Sequence, residues 1–329
     1  MTEVICDIPE IYKVSVPLPG TALKNLNCYI VKSGGESFIV DTGFNLEECR
    51  SILMEALDRL KISPASTKLL ITHLHSDHMG LAECFDYPDS VIYMSRTEYD
   101  YYRLHIHGEY WELSDRIFLE GGMPPEELAQ SKIENPAIIY APKKDFAVHT
   151  LNDGDLIRVG DLTIRAIEVG GHTPGQMCFY IEEYKVMFLA DHVLFDITPN
   201  ITNWPLVEDC LHMYLSNLDK IEAFEIKTAL PGHRNLSDKT VYTRIREIRE
   251  HHRRRLAQIC SVLADHPGLN AYELAGQLTW SLRGRRWEDA PKQQKWFAMG
   301  EAMAHLEYLV RQGKIKEEGH RFYICGHNG

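Results

Sequence analysis

Thr72-His73-Leu74-His75-Ser76-Asp77-His78 is the stretch on which the reading of this chain turns. Three imidazoles and a carboxylate fall within six residues, directly after the apolar run Lys68–Thr72. A strand that ends in a tight loop splays alternate side chains toward one point, and histidine and aspartate are ligands that zinc or iron accepts. A lone histidine pair would be unremarkable. H-x-H-x-D-H is rare, and it predicts a metal centre.

Outward from that stretch, three more motifs follow in order. They are Gly170-Gly171-His172-Thr173-Pro174-Gly175, then Leu189-Ala190-Asp191 closing the apolar strand Val186–Leu189, then Leu230-Pro231-Gly232-His233. Taken singly, His172 and His233 read as turn residues and Asp191 as a helix cap. Taken with the first stretch, the series resembles the metallo-β-lactamase superfamily over about residues 10–235. The resemblance implies an α/β fold, an αββα sandwich, with two divalent metal ions in its site. On that pattern His73, His75 and His172 hold one ion, and Asp77, His78 and His233 hold the other. Asp191 bridges the two, and Asp77 and Asp191 are the catalytic carboxylates. His192 has no place in the pattern. Zinc is the first choice of metal, and iron and manganese suit the same His/Asp ligation.

Two bridged cations lower the pKa of a shared water from 15.7 toward neutrality, so a metal-bridging hydroxide becomes the nucleophile. One cation carries the charge that develops on the attacked carbonyl or phosphoryl oxygen. No Gly-x-Ser-x-Gly nucleophile motif is present. The antibiotic-hydrolysing β-lactamases place a cysteine near the third motif, where this chain has Asp191. The flavodiiron oxidoreductases place Glu where it has His75. The ligand set is similar to those of glyoxalase II, the lactonases and the RNase Z-related nucleases, and the mononuclear persulfide dioxygenases share much of it.

Strand-like runs at Ile11–Leu18, Asn27–Lys32 and Ser37–Asp41 precede the first motif, with a helical pattern over Asn45–Leu60 between. A second strand-rich stretch covers Val148–Ala190. Between the blocks, about residues 96–147, lies an aromatic-rich insert carrying Tyr99, Tyr101, Tyr102, Tyr110 and Trp111 with His105 and His107. These aromatics read either as core or as a cap that shapes a pocket. By position alone, Tyr99, Tyr102, His105, His107 and Asn200 are the candidate substrate contacts.

After Pro231-Gly232-His233 the character changes. An Arg-rich pattern predicts one long helix over Ser237–Ala264 with a Ser N-cap. Helices over Ala271–Leu278 and Lys292–Gln312 and a short hairpin follow, the outline of a winged-helix-like unit. The expected division is a catalytic domain over residues 1–240 and a long helix plus winged-helix-like domain over 241–329. Arg253-Arg254-Arg255 and Arg283-Gly284-Arg285-Arg286 are its basic clusters, read first as solvated faces or intramolecular pairs. Trp280, Trp287 and Trp296 read as core or interface.

The 329 residues carry a net charge of −12, unevenly spread. From Arg244 onward there are 15 Lys and Arg against 10 Asp and Glu, leaving 20 against 37 in residues 1–243. An acidic body argues against wrapping a polyanion, whose binding depends on neutralising phosphates. The apolar fraction of 44% and charged fraction of 25% exclude disordered and fibrous classes. Eight cysteines without a CxxC pair exclude a disulfide framework and point to a reducing cytoplasm. No apolar run has the length of a membrane span, and MTEVICDIPE lacks the pattern of a signal peptide. The expected activity is hydrolysis of a small acyl thioester or ester, with a small-molecule substrate as partner. The alternative is a metal-dependent endoribonuclease that docks RNA through the winged-helix-like unit. Such a unit can equally pack on the catalytic domain or form a homodimer contact, and a non-enzymatic metal-bound scaffold ranks last.

Overall fold

Alternation along the strands explains the layers. In the computed structural model, which describes residues 2–133, 135–237, 239–282 and 284–325, two sheets pack face to face. The first sheet runs β1 (Thr2–Asp7), β2 (Glu10–Leu18), β3 (Lys24–Ser33), β4 (Glu36–Val40), β5 (Lys68–Leu70), β6 (Val91–Ser95) and β7 (His149–Leu151), in that spatial order. The second contains β8 (Leu156–Val159), β9 (Leu162–Glu168), β10 (Met177–Ile181), β11 (Val186–Ala190) and β12 (Thr228–Pro231), in the order β12-β11-β10-β9-β8. Successive side chains of a strand point to opposite faces. Thus Tyr29 and Val31 of β3, with Phe179 of β10 and Phe188 of β11, fill the layer between the sheets. Leu26, Cys28 and Ile30, with Cys178, Met187 and Leu189, face the outer helices.

Those helices are α1 (Glu47–Arg59), α2 (Ser76–Met79), α3 (Arg96–His107), α4 (Glu109–Glu120), α5 (Pro125–Ile133), α6 (Pro136–Ile139), α7 (Cys210–Glu222) and α8 (Val241–Asp265). After them come α9 (Ala271–Gln277), α10 (Lys292–Arg311) and the hairpin β13 (Ile315–Glu318)–β14 (Arg321–Ile324). The fold is a helix–sheet–sheet–helix sandwich with a largely helical carboxy-terminal region. No described helix is long and apolar enough to cross a membrane.

One difference from the sequence reading has a physical reason. The long helix starts at Val241, not Ser237, because the Thr240 hydroxyl accepts the Thr243 N–H at 3.2 Å. The insert, read as core or as a cap, supplies both a core and part of a cavity wall. Phe118 of α4, Met123 and Leu128 of α5 share a core with α9, α10 and the hairpin, and Phe118 stacks on Trp296 at 4.9 Å. Helix α8 serves both cores. Val241, Ile245 and Ile248 bury against the sandwich, whereas Ile259 and Leu263 bury in the carboxy-terminal core.

Candidate metal centre

Four loops at strand ends carry the centre. The first leaves β5 and is anchored by Asp41, whose backbone turns into the left-handed region at φ 60° just after β4. Its Oδ1 accepts the Thr72 N–H and its Oδ2 accepts the Thr72 hydroxyl, both at 2.8 Å. His75 then starts the one-turn helix α2, which sets Asp77 and His78 on consecutive positions. The second loop joins β9 to β10. A Cβ on Gly171, at φ 128°, would lie 2.5 Å from the Tyr214 Cβ, so glycine alone fits there. Asp191 follows β11, and His233 follows β12. A Cβ on Gly232 would lie 2.6 Å from Asp191 Oδ1, so the bare backbone lets the fourth loop close on the cluster.

The seven side chains converge. His75 Nδ1 lies 3.0 Å from His73 Nε2 and 3.1 Å from His172 Nε2. His78 Nε2 lies 3.2 Å from His233 Nε2, and Asp77 Oδ2 lies 3.3 Å from His233 Nε2. Asp191 spans the two groups, with Oδ1 3.6 Å from His78 Nε2 and Oδ2 3.8 Å from His172 Nε2. His73, His75 and His172 form one set with ligand atoms mutually within 4.8 Å, and Asp77, His78 and His233 form another.

The outer hydrogen bonds decide which ring nitrogens face inward. His172 Nδ1 donates to the Asn200 carbonyl at 2.8 Å, and His233 Nδ1 to the Asn25 carbonyl at 2.9 Å. A carbonyl only accepts, so the Nε2 lone pairs point into the cluster. The Thr72 hydroxyl gives its proton to Asp41, so it accepts from His73 Nδ1 at 2.9 Å, and Asp41 Oδ2 faces His78 Nδ1 at 2.7 Å. In their neutral forms the rings would set lone pairs facing one another across about 3 Å, an arrangement that needs a cation or a proton between them, and the buried Asp191 Oδ1 has no hydrogen-bond partner. This donor set fits divalent cations. Burial and the surrounding rings hold His73 well below its usual range and His75 at about 3. Burial works to raise Asp77, but His78 and His233 bring it to about 2. Burial lowers His233 too, yet Asp191 and Asp77 lift it to about 10. The carboxylates thus demand positive charge, which cations supply in place of protons.

Sequence reading misses two groups behind the ligands. Asp41 ends a strand before Thr42-Gly43, a signal that reads only as a turn. Glu98, wholly buried on α3, accepts the Leu74 N–H with Oε2 and the Gly175 N–H with Oε1, both at 2.6 Å, tying the first two ligand loops together. Burial pushes it up to about 7 against the pull of those bonds. Ser95-x-x-Glu98 looks like a capping box. Ser95 does cap α3, but the Glu98 carboxylate reaches the ligand loops instead. His192 is buried with both ring nitrogens unpartnered, edge-on to Tyr214.

A cavity of about 730 Å³ opens on His75, Asp77, His172 and Asp191. Of the five candidate substrate contacts, His105 and Asn200 line it. Tyr99, Tyr102 and His107 do not. On α3 the face one turn apart that carries Tyr101 and His105 points to the cavity side, where both rings meet Trp204. Tyr102 packs instead on Phe146 and donates to the Lys144 carbonyl, Tyr99 is half-buried, and His107 is exposed. The Asn200 side chain donates to Glu301 Oε2 of α10 at 3.1 Å, and Glu301 Oε1 faces Arg255 at 3.3 Å. Arg255 also lies 4.0 Å over the Trp280 ring, while Arg253 pairs with Glu250 and Arg286 with Asp289. Arg283 falls outside the described residues.

Residues 23–233 match the family model described as metallo-beta-lactamase superfamily, and residues 290–322 match that described as metallo-beta-lactamase-like, C-terminal domain. Over 299 residues the chain is 23% identical to the beta-lactamase-like protein 2 homolog of Caenorhabditis elegans, a match that covers 89% of this chain and 81% of that one. An atrochrysone carboxyl ACP thioesterase of Aspergillus aculeatus is 26% identical over 211 residues, 64% of this chain and 51% of the thioesterase. The chain thus spans about half the length of that relative. A metallo-beta-lactamase family protein from Thermus thermophilus superposes with a TM-score of 0.81 at 27% identity, covering 97% of this chain and 100% of that one.

Proposed function

From the premise that this chain belongs to the metallo-beta-lactamase superfamily, we propose that it is a dinuclear metal-dependent hydrolase of small acyl thioesters or related carbonyl esters. The observation that carries this reading is the cavity over the cluster: among the described residues, no lysine or arginine lines it. An RNA strand brings a phosphate with every nucleotide and calls for cations along its path. A neutral acyl group does not. The arginines of residues 253–255 and Arg286 have carboxylate neighbours, which also supports an uncharged substrate. The resemblance to fungal thioesterases points to the same bond.

In this reading His73, His75 and His172 would hold one ion and Asp77, His78 and His233 the second, with Asp191 placed between the two sets. Zinc is the proposed metal, with iron or manganese as alternatives of the same nitrogen and oxygen donors. Bound there, two cations would supply an acidified water at neutral pH and polarise the carbonyl oxygen of the substrate. The chain itself supplies the rest. Asp77 and Asp191, both ionised at neutral pH, reduce the net charge of the site and hold the proton of the nucleophile. Asp41, Asn200 and Asn25 fix the imidazoles that face inward. The catalytic domain is assigned to residues 1–240 and the winged-helix-like domain to 241–329.

The test is hydrolysis of a panel of acyl thioesters by metal-replete protein, with Asp191→Ala as the control. Turnover lost in the variant is the expected result. No turnover of any thioester by protein carrying two metal ions overturns the reading and makes RNA the next substrate to try.

A further inference from the structure

The walls of the cavity come from three separate parts of the chain. Phe44 and Leu74 belong to the sandwich, Ile139 and Tyr140 to the insert, and Trp296 and Phe297 to α10. Its only carboxylates among the described residues are Asp77 and Asp191, both in the cluster at its floor. Above that floor the lining is apolar and aromatic with a few amides and hydroxyls, and 730 Å³ lies within the roughly 300–1,000 Å³ of sites for drug-sized ligands. Acetyl would fill little of it.

The mouth carries the same chemistry. Ile133 is 73% exposed, Phe297 39% and Ile139 38%, so three large apolar side chains face water around the opening. Single exposed apolar residues are ordinary, but several grouped at the mouth of an apolar cavity mark a ligand path. Above the metal-ligand cluster two lining polar atoms are buried without a partner, the Thr202 hydroxyl and, on the same helix turn as Phe297, the amide oxygen of Gln294. Gln294 offers one acceptor to a hydroxyl or amide N–H of the ligand.

We infer that this cavity is the binding chamber for a bulky, uncharged, apolar acyl group, and that α10 forms its specificity wall through Phe297 and Trp296. The carboxy-terminal region is then part of the substrate site. It is held there by built contacts. A Cβ on Gly300 of α10 would lie 2.2 Å from the Thr202 hydroxyl, and the Asn203 N–H donates to the Gly300 carbonyl at 3.2 Å. The nature of the bound group rests on the acyl-ester reading above, whereas the apolar character of the chamber stands on its lining alone.

Two measurements separate these claims. In the first, thioesters of N-acetylcysteamine with acetyl, hexanoyl and decanoyl groups are hydrolysed by the wild type and by Phe297→Ala, whose side chain sits at the rim. The expected result is kcat/KM rising with acyl length, and a decanoyl-to-acetyl ratio about tenfold lower in the variant, as loss of an aromatic contact implies. In the second, decanoate and acetate are titrated into metal-loaded protein while tryptophan emission is followed, since Trp111, Trp204 and Trp296 line the cavity. Decanoate should give a saturable change that weakens in Phe297→Ala, and acetate none. Rates indifferent to acyl length with no decanoate signal overturn the chamber and leave the hydrolase. A decanoate signal without turnover of any thioester supports the chamber and removes the reading of the reaction. A loss shared equally by acetyl and decanoyl substrates would reduce Phe297 to a structural role and refute the wall.

Discussion

Asp41→Asn exposes how much of the centre depends on a residue outside the candidate ligand set. The carboxylate receives the Thr72 N–H, the Thr72 hydroxyl and His78 Nδ1, at 2.8, 2.8 and 2.7 Å. Asparagine has nearly the same volume and tolerates the left-handed φ of 60° as well as aspartate does, so the backbone is not strained. Its amide nitrogen, however, must meet a donor on either side. Facing His78, it forces the imidazole proton from Nδ1 onto Nε2, the atom that points at His233 and into the cluster. That removes one lone pair from the donor set. Facing the Thr72 N–H instead, it leaves a buried donor unpaired, at about 1–3 kcal/mol. Partners behind ligating imidazoles contribute about 10- to 100-fold in metal affinity, or about 1.4–2.8 kcal/mol. Calorimetric titration of metal-depleted wild type and variant with zinc at neutral pH should therefore show one weakened site. Two sites of wild-type affinity in Asp41→Asn would refute the tautomer argument.

Two further substitutions probe the supports around the centre. Glu98→Ala strands the N–H groups of Leu74 and Gly175 in a buried site, so the protein should lose about 2–6 kcal/mol of stability in thermal unfolding, and an unchanged midpoint would remove Glu98 from the frame. Burial works to raise Glu301, but His251, His305 and Arg255 hold it at about 2, against 4.5 when free. A depressed carboxyl stabilises above its unfolded pKa, and the benefit is lost as pH falls from about 4.5 to about 2. At about 1.36 kcal/mol per pH unit the whole shift sets an upper bound of about 3 kcal/mol, because burial brings His305 to about 4 and leaves Arg255 as the charged partner at neutral pH. Glu301→Gln should therefore be less stable than wild type at neutral pH by no more than that amount, with the gap closing in urea unfolding as the pH is lowered toward about 2. A gap that does not vary with pH would mean that Glu301 acts by packing alone.

The first four candidate ligands are legible in the sequence because they share one short motif at a strand end, and His172, Asp191 and His233 are legible only through the resemblance of their motifs to the superfamily's pattern. His73, His75, Asp77 and His78 are neighbours in the chain, and the order of the later motifs follows the order of the strands. The alternation that builds two sheets is equally legible, since a period of two survives in any short window. Helix boundaries are less so. Ser237 and Thr240 are both competent caps, and burial of Val241, Ile245 and Ile248 decides the phase.

The surroundings of the centre belong to the tertiary structure. Glu98 meets Gly175 across 77 residues, and Asn200 meets Glu301 across 101, so no spacing rule joins them. Tyr102 and His105 look alike as candidates in the sequence, and only the packed helix turns one toward Phe146 and the other toward the cavity. Sequence alone put the first cluster, His73 to His78, on the page through local spacing, and the resemblance of the later motifs to the superfamily's pattern implied His172, Asp191 and His233. The chamber above them, with walls from the sandwich, the insert and α10, was decided by folding, because shape arises where distant segments bury their apolar faces together.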